Sequence, residues 1–289
     1  MSEPIGVEDR ETVQQRTRAI RARMLRSVLT ATGRAILTAL ITLLVIGLLW
    51  WGLLVVFNLS PYVTRGPLDV WNYLVTAHGA AAHRLELLPL LGVTLAHSAL
   101  GFALGMGVAV LAAISFRLSS GIEGAFMPVA MLLRSVPLVT IAPVIILIFG
   151  IGSSASVAVI AGIVVLFPAL VTIVQGLRSA SPQMLEVVSV YGGSEATATR
   201  KVALPAALPA IFAAIRISVP GAITGALLAE WLSTGDGIGA AVQKYIPQAE
   251  YDRLWAAVVA ITFVSVLLYS LVQLIESIVL ARMGMADRH

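Results

Sequence analysis

Residues 186–205 read EVVSVYGGSEATATRKVALP. The stretches on either side are lipid-soluble: Ser135 to Leu177 runs 43 residues without a charge, and 208–229 holds a single one, at Arg216. Between them the chain turns mixed and polar. Ser181-Pro182 opens a helix there, with serine in the capping position and proline, which needs no N–H, at the first helical one. Met184, Val187, Val188 and Tyr191 recur at i, i+3, i+4, i+7, which places them on one face with Glu186 turned elsewhere. Gly192-Gly193 ends this helix, because glycine takes the left-handed conformation of a C-terminal cap without strain. Ser194 caps a second helix through Arg200 and Lys201, cations suited to a helix C-terminus, and Leu204-Pro205 ends it. The result is a helix–glycine–helix hairpin over 181–205 with one apolar side. Such an exposed face calls for a protein partner.

Composition says what surrounds the hairpin. The 289 residues are 58% hydrophobic and 12% charged, against about 25% charged in soluble domains. An all-α integral membrane protein is expected. There is no cysteine, hence no disulfide and no thiolate metal site. A spanning helix needs roughly 20 apolar residues. Six such helices fit, at about 35–57, 88–115, 123–149, 155–177, 208–231 and 254–276, with GIGSS at 150–154 turning the chain between the third and fourth. They make one membrane domain over 35–281. Pro128, Pro137 and Pro143 are candidate breaks in the third span. The glycines of GFALGMG (101–107) suit close helix packing.

Cations orient the spans. With the N-terminus inside, 13 fall in cytoplasmic segments: seven arginines before residue 35, then Arg117, Arg178, Arg200, Lys201, Arg282 and Arg288. Four fall outside: Arg65, Arg84, Lys244 and Arg253. Both termini and the hairpin are therefore expected in the cytoplasm. Residues 1–34 form a basic leader, read either as an interfacial helix on the inner leaflet or as a tail that only fixes topology; it is not a cleavable signal. Residues 282–289 are a short cytoplasmic tail. In the external loop 58–86, Ser60-Pro61 and Gly66-Pro67 mark turns and DVWNYLV a short surface helix.

The hairpin also carries a resemblance. Membrane subunits of ABC importers have a cytoplasmic signature E-A-A, three residues, G, nine residues, I-x-L-P. Glu186, Gly192, Val202, Leu204 and Pro205 fall on that spacing without a gap, with Val187 and Val188 in place of the alanines and Val202 in place of isoleucine. TLAHSALGFALG (94–105), LRSVPLVTIAPVIILIFGIG (133–152) and IRISVPGAITGALLAEW (215–231) followed by GDGIG resemble the nitrate/sulfonate/taurine branch of these permeases. His97 departs from that branch, which commonly has arginine there. The resemblance implies a type I ABC importer fold in the bacterial inner membrane. It implies that the hairpin, with Glu186, Val187, Val188, Tyr191, Gly192, Gly193, Val202, Leu204 and Pro205, is the coupling helix that docks on an ATP-hydrolysing subunit. The expected assembly is a homodimer on two ATPase subunits, fed by an external solute-binding protein, with membrane lipid around it and no nucleic acid.

The chain is not expected to be an enzyme. A phosphate-binding G-x-x-x-x-G-K-[ST] loop needs a lysine, and Lys201 and Lys244, the only two, lie in ATRKVAL and AVQKYIP. No cofactor is expected in this chain; ATP and Mg belong to the partner ATPase. Charged residues in the spans are candidates for the substrate pathway. Arg134, near Pro137, lies at or within the inner part of the membrane and either lines a pathway or gate, or snorkels and holds helices together. Arg216 snorkels or lines the inner vestibule. Glu230 is structural, docks the binding protein, or belongs to the pathway, and His97 is a structural histidine or part of that pathway. The substrate class expected is a sulfonate or taurine-like small organic anion, with nitrate or a pyrimidine-type thiamine precursor as alternatives. An intramembrane hydrolase lacks its motifs: GGSEA at 192–196 is not G-x-S-x-G. An ion-coupled secondary transporter, the remaining alternative, would need coupling-ion sites at the midplane, often within inverted repeats, and the sequence offers neither.

Overall fold

A computed structural model describes residues 41–283 except 43 and 234. The leader with its expected interfacial helix, the start of the first span, and the tail beyond 283 lie outside the described residues. Two compact units divide at Pro67 and Leu68. In the first, the described part of α1 (Leu44–Val56) is an apolar helix. The chain leaves it through Asn58 at φ 45 and a turn in which the Ser60 carbonyl accepts the N–H groups of Val63 and Thr64, both at 3.1 Å.

The second unit is a helical bundle. Its elements are α2 (Pro67–Trp71, running into a π turn at Asn72–Thr76), α3 (Ala80–Leu118), α4 (Ser120–Ser135), α5 (Leu138–Phe149), α6 (Ser154–Arg178), α7 (Pro182–Val190), α8 (Glu195–Ala198), α9 (Leu204–Ser233), α10 (Ile238–Tyr245) and α11 (Tyr251–Arg282). Among the described residues four helices are long and apolar enough to cross a membrane: α3, α6, α11, and α8 running through into α9. α4 and α5 make a fifth only as a bent pair.

The third span, expected over 123–149 with Pro128, Pro137 and Pro143 as candidate breaks, breaks at the second of these. Its axis turns by 102° between Ser135 and Leu138. Pro137 is the cause: its ring drives the preceding residue out of helical geometry, and Val136 sits at φ −75, ψ 124. At the other end of α5, Gly150 (φ +100) and Gly152 (φ +72) make the expected turn. Ser153 then caps α6, its hydroxyl accepting the Ser156 N–H at 3.1 Å.

A correction falls at Leu204-Pro205, expected to end a helix. α8 passes through a π turn at Thr199–Ala203 into α9 instead. The Leu204 N–H reaches back five residues to the Thr199 carbonyl, and this wider turn accommodates the missing N–H and the ring of Pro205. The second half of the hairpin and the span that follows are thus one continuous rod from Glu195 to Ser233.

α6 is the centre of the bundle and packs along its length on α3 and α9. Small residues set the spacing. A Cβ on Gly105 would stand 2.3 Å from the Gly162 carbonyl oxygen, and one on Gly101 2.4 Å from the Ala161 Cβ. Gly225 meets Ala161 and Gly176 meets Ala210 in the same way. In lipid, where apolar burial drives little association, such close backbone contact is what holds helices together.

Candidate functional site

The elbow is built by local backbone chemistry. Pro182 occupies the first position of α7 as expected, while the Ser181 hydroxyl donates to Gln183 Oε1 at 2.6 Å and does not cap. At the other end the Gly193 N–H reaches the Val188 carbonyl at 2.8 Å and the Gly192 N–H that of Ser189 at 2.9 Å. This paired closure is a Schellman motif, and it needs a left-handed residue after the cap. Gly192 supplies it at φ +77. Gly193 is required for a different reason: a Cβ there would lie 2.4 Å from Val188 Cγ1. Ser194 starts α8, accepting the Thr197 N–H at 3.3 Å.

The apolar face of α7 divides in two. Leu185 and Val188 pack against the core cluster that contains Val202 and Ala203. Met184, Val187, Val190 and Tyr191 stand exposed, the last two at 83% and 87%. The expected face of Met184, Val187, Val188 and Tyr191 is corrected accordingly: Val188 faces in, and Val190 joins the exposed rim. Glu186 is also exposed. Val202 is buried and Leu204 and Pro205 half-buried, so these three anchor the elbow to the bundle. Arg117 at the end of α3 reaches Glu195 at 3.5 Å, and Arg178 at the end of α6 pairs with Glu123 of α4.

At the opposite end of the bundle the structure brings His97 and Glu230 together. Glu230 is fully buried. Its Oε2 accepts from the Thr94 hydroxyl at 2.8 Å and the Gly239 N–H at 3.0 Å, and Oε1 lies 2.9 Å from His97 Nδ1. The Thr94 hydroxyl in turn accepts the Ile238 N–H at 2.8 Å, and His97 Nε2 lies 3.2 Å from Ser154 Oγ. One carboxylate thereby fastens α3, α9, the start of α6 and the start of α10. Gly237, at φ +106, leaves the room: its Cβ would fall 2.5 Å from the carboxylate. Thr94, Ser154, Gly237 and Gly239 were not singled out in the sequence reading, and only GDGIG, with its left-handed glycine, signals them locally.

Arg216 is not free in a vestibule. Its Nη1 lies 3.1 Å from Glu276 of α11, and its guanidinium sits 5.9 Å from the Tyr269 ring centre. Glu276 is a further residue the sequence reading missed. Arg134 differs from the other charged span residues. It lies one turn beyond Ala130 and two beyond Met127, on the stripe by which α4 meets the core, yet it is exposed and has no ion pair among the described residues. The chain bends away at Val136-Pro137 immediately after it.

Several helices long and apolar enough to cross a membrane, with an apolar-rimmed elbow between two of them, define a multi-pass membrane protein. The chain belongs to the binding-protein-dependent transport system inner membrane component family, whose pattern matches residues 101–284. It is therefore an ABC transporter permease subunit, a transport component of the inner membrane whose family works with an ATPase and a binding protein. A putative aliphatic sulfonates transport permease of Bacillus subtilis is 30% identical over 191 residues, 66% of this chain and 69% of the relative. A probable ABC transporter permease of Haemophilus influenzae is 27% identical over 177 residues, 61% and 72%. A formylaminopyrimidine transport permease of Halalkalibacterium halodurans is 26% identical over 190 residues, 66% and 76%. The crystal structure of an amino acid ABC transporter with histidines superposes with a TM-score of 0.55 at 17% identity, covering 70% of this chain and 96% of that one; the likeness extends to the fold alone.

Proposed function

We propose that this chain forms half of the translocation path of an ATP-driven importer, as a homodimer seated on two ATPase subunits and fed by an external solute-binding protein. Both termini and the elbow face the cytoplasm, as the cation distribution favours. One observation carries the coupling: the exposed rim of Met184, Val187, Val190 and Tyr191 rides on a Schellman-closed elbow that is continuous with α9. A push on the rim turns a rod 39 residues long. ATP and Mg are bound by the partner ATPase, and this chain contributes the lever and the path.

Arg134 faces that path and favours an anionic solute, since a guanidinium within a membrane is retained where it meets water, a partner or substrate. A sulfonate or similar small organic anion fits, and the sulfonate permease of Bacillus subtilis points the same way. Pyrimidine-type precursors are the second reading, carried by the formylaminopyrimidine permease.

Co-expression with the ATPase encoded beside it tests the coupling. Tyr191→Asp puts a charge on the rim at an 87% exposed position where folding does not depend on the side chain. The wild-type chain retains the ATPase through purification in mild detergent, and the variant loses it while remaining in the membrane. Equal retention by both would remove the elbow from the docking surface.

A further inference from the structure

Beside the elbow, a cavity of about 320 Å³ opens where three spans end, within the range that holds small organic ligands. Neither the lever nor the path uses it. Its back is apolar and belongs to the core: Phe116, Val174 and Leu177 are buried at 6%, 5% and 2% exposure. Its rim is charged, with Arg117 at the end of α3, Glu123 near the start of α4 and Arg178 at the end of α6. Pro182 and Leu185 of α7 close the remaining side.

Both arginines already have a carboxylate, and neither is used up by it. Arg178 gives Nη2 to Glu123, and Arg117 places Nη1 3.5 Å from Glu195, whose side chain is 71% exposed. A long, solvated pair of the second kind contributes little and yields readily to a better acceptor. Each guanidinium carries five N–H donors in a fixed fork, so both retain donors for a second ligand. Two such forks at the ends of apolar helices, above a hydrocarbon wall, match the chemistry of an anionic lipid head group and the start of its acyl chains.

We propose that this cavity is a binding site for an anionic phospholipid, its phosphodiester between Arg117 and Arg178 and its glycerol end against Phe116 and Leu177. The lipid then bridges the span ends and α7, so that the elbow is seated on the membrane as well as on the bundle. Placement in the inner leaflet rests on the cytoplasmic reading of the elbow; binding does not depend on it.

The test purifies the permease with its ATPase after exposure to mixed phosphatidylcholine and phosphatidylglycerol vesicles, and measures retained lipid by mass spectrometry. At about fivefold per arginine, Arg117→Gln with Arg178→Gln lowers the phosphatidylglycerol preference roughly twenty-five-fold. Leu185→Trp, which fills the cavity and keeps both charges, also expels the lipid and guards against a folding defect. Arg200→Gln with Lys201→Gln removes two cations from the same region outside the cavity and leaves retention unchanged. Equal loss in that control means diffuse attraction and overturns the site, as does unchanged retention in the arginine pair. Displacement of phosphatidylglycerol by inorganic phosphate assigns the forks to a soluble anion and likewise overturns the lipid. Failure here leaves ATPase retention by the rim intact, which separates it from failure of the coupling reading.

Discussion

Replacing Glu230 by glutamine and by alanine separates hydrogen-bond geometry from simple occupancy of space. Glutamine keeps the shape. Its amide oxygen in the place of Oε2 accepts from both Thr94 and Gly239, and its nitrogen donates to His97 Nδ1, which as a neutral ring accepts. Only the charge assistance is lost, at about 1–2 kcal/mol. Alanine strands the Gly239 N–H, which is fixed in the backbone and cannot turn to another acceptor. It also releases His97 and opens a cavity at a fully buried position, for a total of about 3–6 kcal/mol. Gly237→Ala perturbs the same point from the other side, combining strain at φ +106 with a Cβ 2.5 Å from the carboxylate. Paired with Glu230→Ala it loses the clash and keeps the strain, so the double variant costs less than the sum. Thermal unfolding of the purified permease, followed through its five tryptophans, reads all four proteins. Equal midpoints for the glutamine and alanine variants would refute the fastening role of the carboxylate, and strict additivity with Gly237→Ala would refute the contact.

Gly105→Val drives a side chain into the Gly162 backbone and separates α3 from α6; the expected outcome is loss of folded protein from the membrane fraction, while Gly107→Val, with open space at its Cβ, is tolerated. Arg216→Ala leaves Glu276 buried without its cation and costs about 3–5 kcal/mol, whereas Arg216→Met with Glu276→Leu is near neutral; thermal midpoints check the difference. Arg134→Ala lowers uptake of an anionic solute by about tenfold or more while ATPase retention is unchanged, and Arg134→Lys restores part of it; radiolabelled uptake into cells measures both.

The elbow was legible in the sequence because its signals act on the backbone where they stand. Proline at the first helical position, the Gly192-Gly193 closure and the Ser194 cap each need only their immediate neighbours. The division of the α7 face was not legible. Val187, Val188, Val190 and Tyr191 are all apolar, and which of them turns inward is decided by Val202 and Ala203 on another element. Pro205 misled for a related reason: locally it stops a helix, but a π turn carries the chain past it. Pro137 was among the flagged breaks, yet three prolines do not say which one bends the span or by how much. The Glu230 fastening lay furthest from view, since Thr94 is 136 residues away and nothing in either segment alone names the other.

A photo-reactive amino acid placed at Val190, on the elbow rim, tests the coupling most directly. Leu111, 69% exposed on the surface of α3, serves as the reference position. Irradiation of membranes containing the permease and its ATPase should join Val190 to the ATPase and leave Leu111 unjoined, with the yield at Val190 changing when ATP is added. A product at Leu111 with none at Val190 would place the ATPase elsewhere on the chain and contradict the account.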